Sequence, residues 1–207
     1  MYQDKPGYGD WAFLDIYAIG GMLFSALLSQ GLAVRGTISF GEFEYRMDQS
    51  GNHPIYFGRA FIEAYQAEQK EKWIGITILP SAWKPYKKNN PGSIPDIGKH
   101  NIWGSQRRDE IVLLNPFIKL IAYYQSDDFS NDTLQQSTLD YLFINDIKAF
   151  IFLRETTQKY REQGEFSSST AVKYHATSAF LDQILGKSII DWALSVFEFL
   201  KKNSLLS

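Results

Sequence analysis

The chain contains no cysteine, so it can form neither disulfide bonds nor cysteine metal sites, and it has no thiol nucleophile. It also has little net charge, because 21 Lys and Arg residues oppose 23 Asp and Glu residues and leave −2. We therefore expect neither nucleic acid nor an anionic membrane as a partner. The opening residues, MYQDKPGYGD, lack the regions of a secretory signal peptide, so a cytoplasmic location is the expectation.

One charge-free run, residues 16–34, is long enough to be tested as a membrane-spanning helix. Glycine, serine and glutamine dilute its hydrophobicity, Gly31 is a typical helix stop, and no cluster of basic residues flanks it. These features favour a buried helix over a spanning one.

Apolar residues make up 44% of the 207 residues, which is enough for a substantial core. The pattern of the first part of the chain predicts mixed secondary structure. It begins with a helix over about 11–30, a strand in LAVRGTISF and a hairpin with its turn in DQSGN. A helix in RAFIEAYQAEQKEK and strands in WIGITILPS and DEIVLLNPF follow. Residues 80–108 contain four prolines and no sustained period, so this segment is predicted to be a long loop.

The remainder predicts helices: one over about 138–162, one from the SSS at 167–169 to Gly186, and one in SIIDWALSVFEFLKK. The chain therefore divides into an α/β domain over residues 1–125 and a helical region over 126–207 that packs on it, and the fold class is α+β. The last helix has a broad apolar side, which must be buried on its own sheet or, alternatively, in an interface.

Two motifs carry a family resemblance: RGTISFGEF and YFGRAFIEAYQAE, within residues 11–80. The matching residues are Arg35, Gly36, Ile38, Gly41, Glu42, Phe57, Gly58, Ala64 and Glu68. They resemble the nucleotidyl cyclase domain of the class III adenylate and guanylate cyclases, in particular the divergent bacterial branch that includes the pyrimidine cyclases of antiphage signalling. IVLLNPF and AVKYHATSAFL also look like that branch. The resemblance implies a ferredoxin-like antiparallel sheet with packed helices.

The resemblance also implies a chemistry, in which a 3′-hydroxyl attacks the α-phosphate of a nucleoside triphosphate and pyrophosphate leaves. In the family, two aspartates hold Mg²⁺ or Mn²⁺, and an Asn and an Arg donated across a dimer interface stabilise the developing charge. Here Ile62 and Gln66 occupy the Asn and Arg positions, and Ile55 occupies the position that selects the base. The metal-bearing strands have no room before the first helix, which we expect to contain Asp15.

Local residues offer weaker candidates. The segment 83–108 is basic and contains interleaved aromatic residues, a composition that can hold phosphates and stack bases, although a solvated loop is the interpretation we favour. Its candidate nucleotide- or phosphate-binding residues are Lys87, Lys88, Arg107 and Arg108, and its aromatic residues are Trp83, Tyr86 and Trp103. Glu42 and Glu44 share one face of the hairpin near Asp48, but a solvent-exposed face is the more ordinary interpretation. The three histidines are not at ligand spacing, so no metal site is assigned.

We therefore expect a nucleotidyl-cyclase-like domain with an incomplete active site, either non-catalytic or dependent on a partner, in bacterial nucleotide signalling or antiphage defence. Two alternatives stay open: an active cyclase that uses Mg²⁺ or Mn²⁺ to make a 3′,5′-cyclic nucleotide from a purine or pyrimidine triphosphate, and an assembly module without a nucleotide role. The expected partners are a second copy or another chain that completes the fold, and a nucleotide. No cofactor is assigned unless the chain is catalytic, and whether it is an enzyme is left open.

Overall fold

A computed structural model describes residues 8–89, 104–106, 109–125 and 141–204. These residues form an α+β structure, as the sequence predicts. In chain order the elements are α1 (Tyr8–Ser29), β1 (Arg35–Ile38), β2 (Glu44–Met47), β3 (Pro54–Phe57), α2 (Arg59–Lys70), β4 (Gly75–Ile78), α3 (Pro80–Asn89), β5 (Gly104–Gln106), β6 (Val112–Leu114), α4 (Ile118–Gln125), α5 (Tyr141–Glu162) and α6 (Ser169–Lys202).

The main sheet has four strands in the order β1-β4-β6-β5. The pairs β4–β6 and β5–β6 are antiparallel, as expected, but β1 and β4 run parallel, with Arg35 opposite Gly75 and Ile38 opposite Ile78. The sheet is therefore mixed rather than wholly antiparallel. The parallel pair is possible because the hairpin and α2 connect the two strands and form the long crossover that parallel strands require.

The predicted hairpin forms a separate two-stranded sheet in which Glu44 lies opposite Phe57 and Met47 opposite Pro54. Its turn lies in the predicted segment and is organised by Asp48. The Asp48 carboxylate accepts hydrogen bonds from the Ser50 hydroxyl at 2.8 Å and from the Asn52 amide at 3.0 Å. Both strands of the hairpin are largely exposed.

The larger core joins the helices at both ends of the chain. Phe24 and Leu28 of α1 pack with the apolar sides of α4, α5 and α6, together with Trp73 and Ile74 before β4. Thr177 of α6 is also tied to this junction, because its hydroxyl lies 2.8 Å from the Ile74 amide. The helices of the second part of the chain therefore share a core with α1 and with the residues before β4, and the division into two domains at residues 125 and 126 stays a prediction.

The last helix buries its apolar side in this core, but against other helices rather than on the sheet as we had expected. Ile190, Ala193, Val196 and Leu200 are all buried there. The predicted helix stop at Gly186 is seen as a break, with φ 70° and ψ 165°, inside the continuous span of α6. Ser168 caps α6 by accepting a hydrogen bond from the Ala171 amide, so the predicted capping role of SSS is confirmed.

The prediction of a long loop over residues 80–108 is wrong for the described parts of this segment, because they contain α3 and β5. The start of α3 fits the known preference for proline in the first turn, because Pro80 loses no helical hydrogen bond there. Packing offsets the helix-breaking tendency of Pro85, since Trp83 and Tyr86 lie in a second core with Tyr17 of α1. The helix α4, which follows β6, was also missed.

Within the described ranges, no helix is long and apolar enough to cross a membrane. The charge-free run instead belongs to α1, which ends before Gly31 as predicted, and α1 contains Asp15 as expected.

Candidate functional site

The segment from Gly41 to the start of α2 brings the resembling motifs into contact. Gly58 has φ 121°, and a β-carbon there would lie 2.5 Å from the Glu42 carbonyl oxygen. The same carbonyl accepts a hydrogen bond from the Ala60 amide at 3.0 Å, which fixes the first turn of α2 against the hairpin. A glycine is therefore required at position 58 for steric reasons, because any side chain would separate the hairpin from the helix.

The outward side of α2 presents the two positions at which the cyclase resemblance places catalytic groups. Ile62 and Gln66 are both exposed, and Phe61 and Tyr65 beside them are exposed as well. Ala60 is the residue of α2 that is buried. An isoleucine cannot donate a hydrogen bond and a neutral glutamine carries no charge, so this side offers apolar surface and an amide.

Four aromatic rings continue this surface across the hairpin, and we name them the aromatic row: Phe43, Tyr45, Tyr56 and Phe61. Tyr56 lies at the centre, with ring centroids 6.1 Å from Phe43, 6.0 Å from Tyr45 and 6.2 Å from Phe61. All four side chains are between 42% and 58% exposed. A contiguous group of exposed aromatic rings such as this can serve as an interaction surface.

The opposite face of the hairpin carries Glu44 and Arg46 together with Phe57 and the exposed Ile55. Glu44 pairs with Arg46 at 3.1 Å, and the Arg46 guanidinium lies 5.2 Å from the centroid of the Phe57 ring. The turn hydrogen bonds, chiefly the one from the Ser50 hydroxyl, lower the pKa of Asp48. Glu42 and Glu44 thus remain on an exposed arm, and among the described residues no three acidic or histidine side chains are grouped as metal ligands are.

The structure separates the candidate residues of the basic segment. Lys87 and Lys88 lie in the last turn of α3, whereas Arg107 and Arg108 lie outside the described residues. Trp83 and Tyr86 cannot stack on a base, because both are buried and Trp83 donates its indole N–H to the Glu110 carbonyl at 2.9 Å. Their alternation with lysines reflects an amphipathic helix. Trp103 lies outside the described residues.

A pocket of about 560 Å³ lies where β4 ends, between the first turns of α2 and α3 and the residues that precede β6. Its polar lining consists of Arg59, Glu63, Ser81, Lys84 and Asp109. Parallel strands commonly place ligand sites at their carboxyl ends, so this pocket occupies a favoured location. The sequence signal that could have found it is Pro80-Ser81 directly after a strand, which resembles a helix start.

Ion pairs define the electrostatics of this pocket. Arg59 pairs with Glu63 at 2.8 Å, and this contact raises the pKa of Arg59 and lowers that of Glu63. Lys84 pairs with Glu110 at 2.5 Å on the neighbouring surface. Each cation is therefore matched by a carboxylate, and the pocket can hold a small polar ligand that exchanges with these exposed pairs.

Comparison with protein-family models, with curated proteins and with solved structures finds no match to this chain.

Proposed function

We propose that the chain is a nucleotidyl-cyclase-like domain with an incomplete active site, which acts with a partner in nucleotide signalling. The observation that carries the proposal is the exposed apolar surface of the aromatic row and α2, which contains Ile62 and Gln66. In the family that the sequence resembles, these two positions supply catalytic groups across an interface. A chain that keeps an apolar contact surface and lacks those groups is suited to binding rather than to turnover.

The order of elements also supports the proposal. A helix, a strand, a hairpin, a second helix and a second strand follow one another as in the resembling segment. The close contact of Gly58 with Glu42 gives the glycine of the Phe-Gly motif a structural role that does not depend on catalysis. The ferredoxin-like arrangement of the family is part of this proposal, with β1 and β4 among its strands.

The pocket beside Arg59 is the site that we propose for a nucleotide phosphate. It begins at the residue that follows Gly58, and Arg59, Ser81 and Lys84 are the groups that could contact phosphate oxygens. Lys87 and Lys88, at the far end of α3, then lie outside this site.

Thermal unfolding with nucleotides tests this function, because a ligand that binds the native state must raise its stability. We expect at least one of ATP, GTP, CTP and UTP, with Mn²⁺, to raise the melting temperature, and Arg59→Ala to remove the shift. Inorganic triphosphate serves as the control for binding without a base. If no nucleotide shifts the melting temperature, the chain is the assembly module that its apolar surface would equally suit.

A further inference from the structure

Glu63 is an acidic residue in the lining of the pocket beside Arg59, and it follows Arg59 by one turn of α2. Its carboxylate accepts a hydrogen bond from the Arg59 guanidinium at 2.8 Å. The Ser81 hydroxyl, in the first turn of α3, donates to the same carboxylate. These two contacts, that of Arg59 first, hold the pKa of Glu63 below its usual range. One carboxylate thus connects the starts of two helices.

The start of α3 is fixed by contacts that do not involve Glu63. The Leu79 amide donates a hydrogen bond to the Ile38 carbonyl at 2.9 Å, which joins the residue before α3 to the end of β1. The Phe40 amide donates to the Ser81 hydroxyl oxygen at 3.4 Å, so the hydroxyl proton can be donated to Glu63. The fold therefore holds this donor in place whether or not Glu63 carries a charge.

The carboxylate of Glu63 takes the position that an anionic ligand would take in this pocket. The amino-terminal end of a helix carries a partial positive charge, which favours an anion beside it. α3 has ten residues, and Glu63 is an anion that the chain itself supplies beside the first turn. It also contacts Arg59 and Ser81, two of the three groups to which the proposed function assigns phosphate oxygens.

A phosphate that entered the pocket would compete with this carboxylate. The Arg59 side chain is 76% exposed, so a ligand can reach it, but its Nε–H and the Ser81 hydroxyl are already donated to Glu63. The five donors of a guanidinium lie close together, so a phosphate on the other N–H groups of Arg59 would still lie near the carboxylate. Two like charges at such short range repel each other.

We propose that Glu63 determines the ligand specificity of this pocket, because its carboxylate acts as an internal competitor that excludes anions offering charge alone. The inference rests on the phosphate site of the proposed function and names what that site rejects. Inorganic triphosphate interacts only through its charges, so the wild-type chain should bind it weakly. A nucleoside triphosphate also offers a base and a sugar, and contacts with these groups can offset the displacement of Glu63.

Titration calorimetry with inorganic triphosphate, without divalent metal and at low salt, tests this role in Glu63→Gln. The amide has nearly the shape of the carboxylate, and its oxygen can still accept from Arg59. An exposed ion pair one turn apart on a helix contributes little to stability, so the variant should fold. Its affinity for triphosphate should exceed that of the wild-type chain by at least about tenfold.

Two further variants separate competition at the pocket from other effects. Glu44→Gln removes the same charge from an exposed arm of the hairpin outside the pocket lining. It should leave the affinity within about twofold of the wild-type value, because salt screens distant exposed charges. Adding Arg59→Ala to Glu63→Gln should abolish the gain, because Arg59 is the donor that the substitution releases. A purely structural effect of Glu63→Gln would not depend on Arg59.

The inference is overturned if Glu63→Gln binds inorganic triphosphate no more tightly than the wild-type chain, if Glu44→Gln raises the affinity equally, or if the gain survives Arg59→Ala. Any of these results leaves the proposed function in place as long as a nucleotide raises the melting temperature of the wild-type chain. The expected gain without any nucleotide effect on the wild-type chain would support Glu63 as an internal competitor and would count against the proposed function.

Discussion

Single residues decide whether the hairpin and α2 stay together. Gly58 has a positive φ, and its main chain lies directly against Glu42. The fold therefore requires both the backbone conformation that glycine permits and the absence of a side chain. Ile62 and Gln66 differ from Gly58 because both are exposed, so the packing of the fold does not require these residue types. A steric requirement, such as the one for glycine at position 58, can therefore be inferred from the sequence more readily than the function of an exposed side chain.

Replacing Gly58 by alanine should destabilise the protein by at least about 2 kcal/mol, because the new β-carbon collides with the Glu42 carbonyl in a disfavoured conformation. Chemical denaturation measures the free energy of unfolding. Gly186→Ala is the matched control, because Gly186 has φ 70° and ψ 165°, in the same region that only glycine adopts readily, but open space around its β-carbon position. The control isolates the backbone strain, and equal losses for the two variants would show that the contact with Glu42 contributes nothing.

At the scale of elements, periodicity predicted most helices and strands, and the failures have a physical cause. The segment that contains α3 was assigned to a loop on its proline content, yet Pro80 is compatible with a first turn, and burial of Trp83 and Tyr86 stabilises the helix despite Pro85. The parallel pairing of β1 with β4 was also missed, because strand order depends on long-range packing that local patterns do not encode.

The attachment of α6 to the strand layer offers a test at this scale. The buried Thr177 hydroxyl lies within hydrogen-bond distance of both the amide and the carbonyl of Ile74, at 2.8 Å and 3.0 Å. Thr177→Val should cost about 1–3 kcal/mol of unfolding free energy, because it leaves buried main-chain groups without a partner. Thr170→Val, at an exposed position of the same helix, should change stability by less than about 0.5 kcal/mol. Similar losses for both would contradict this role.

At the scale of the whole molecule, the α+β class could be predicted from composition and periodicity. The pocket beside β4, α2 and α3 could not, because its lining also includes residues before β6, which are distant in sequence and meet the others only when the strands pair. The described residues also leave the aromatic row and the outward side of α2 exposed, as an apolar surface.

Turnover is the most direct test of the central claim that the chain binds a partner but does not catalyse cyclisation by itself. The purified chain would be incubated with each nucleoside triphosphate and Mn²⁺, and cyclic nucleotide would be quantified by mass spectrometry. We predict no cyclic product above the level of a protein-free control. Sustained formation of a 3′,5′-cyclic nucleotide by the chain alone would contradict the account.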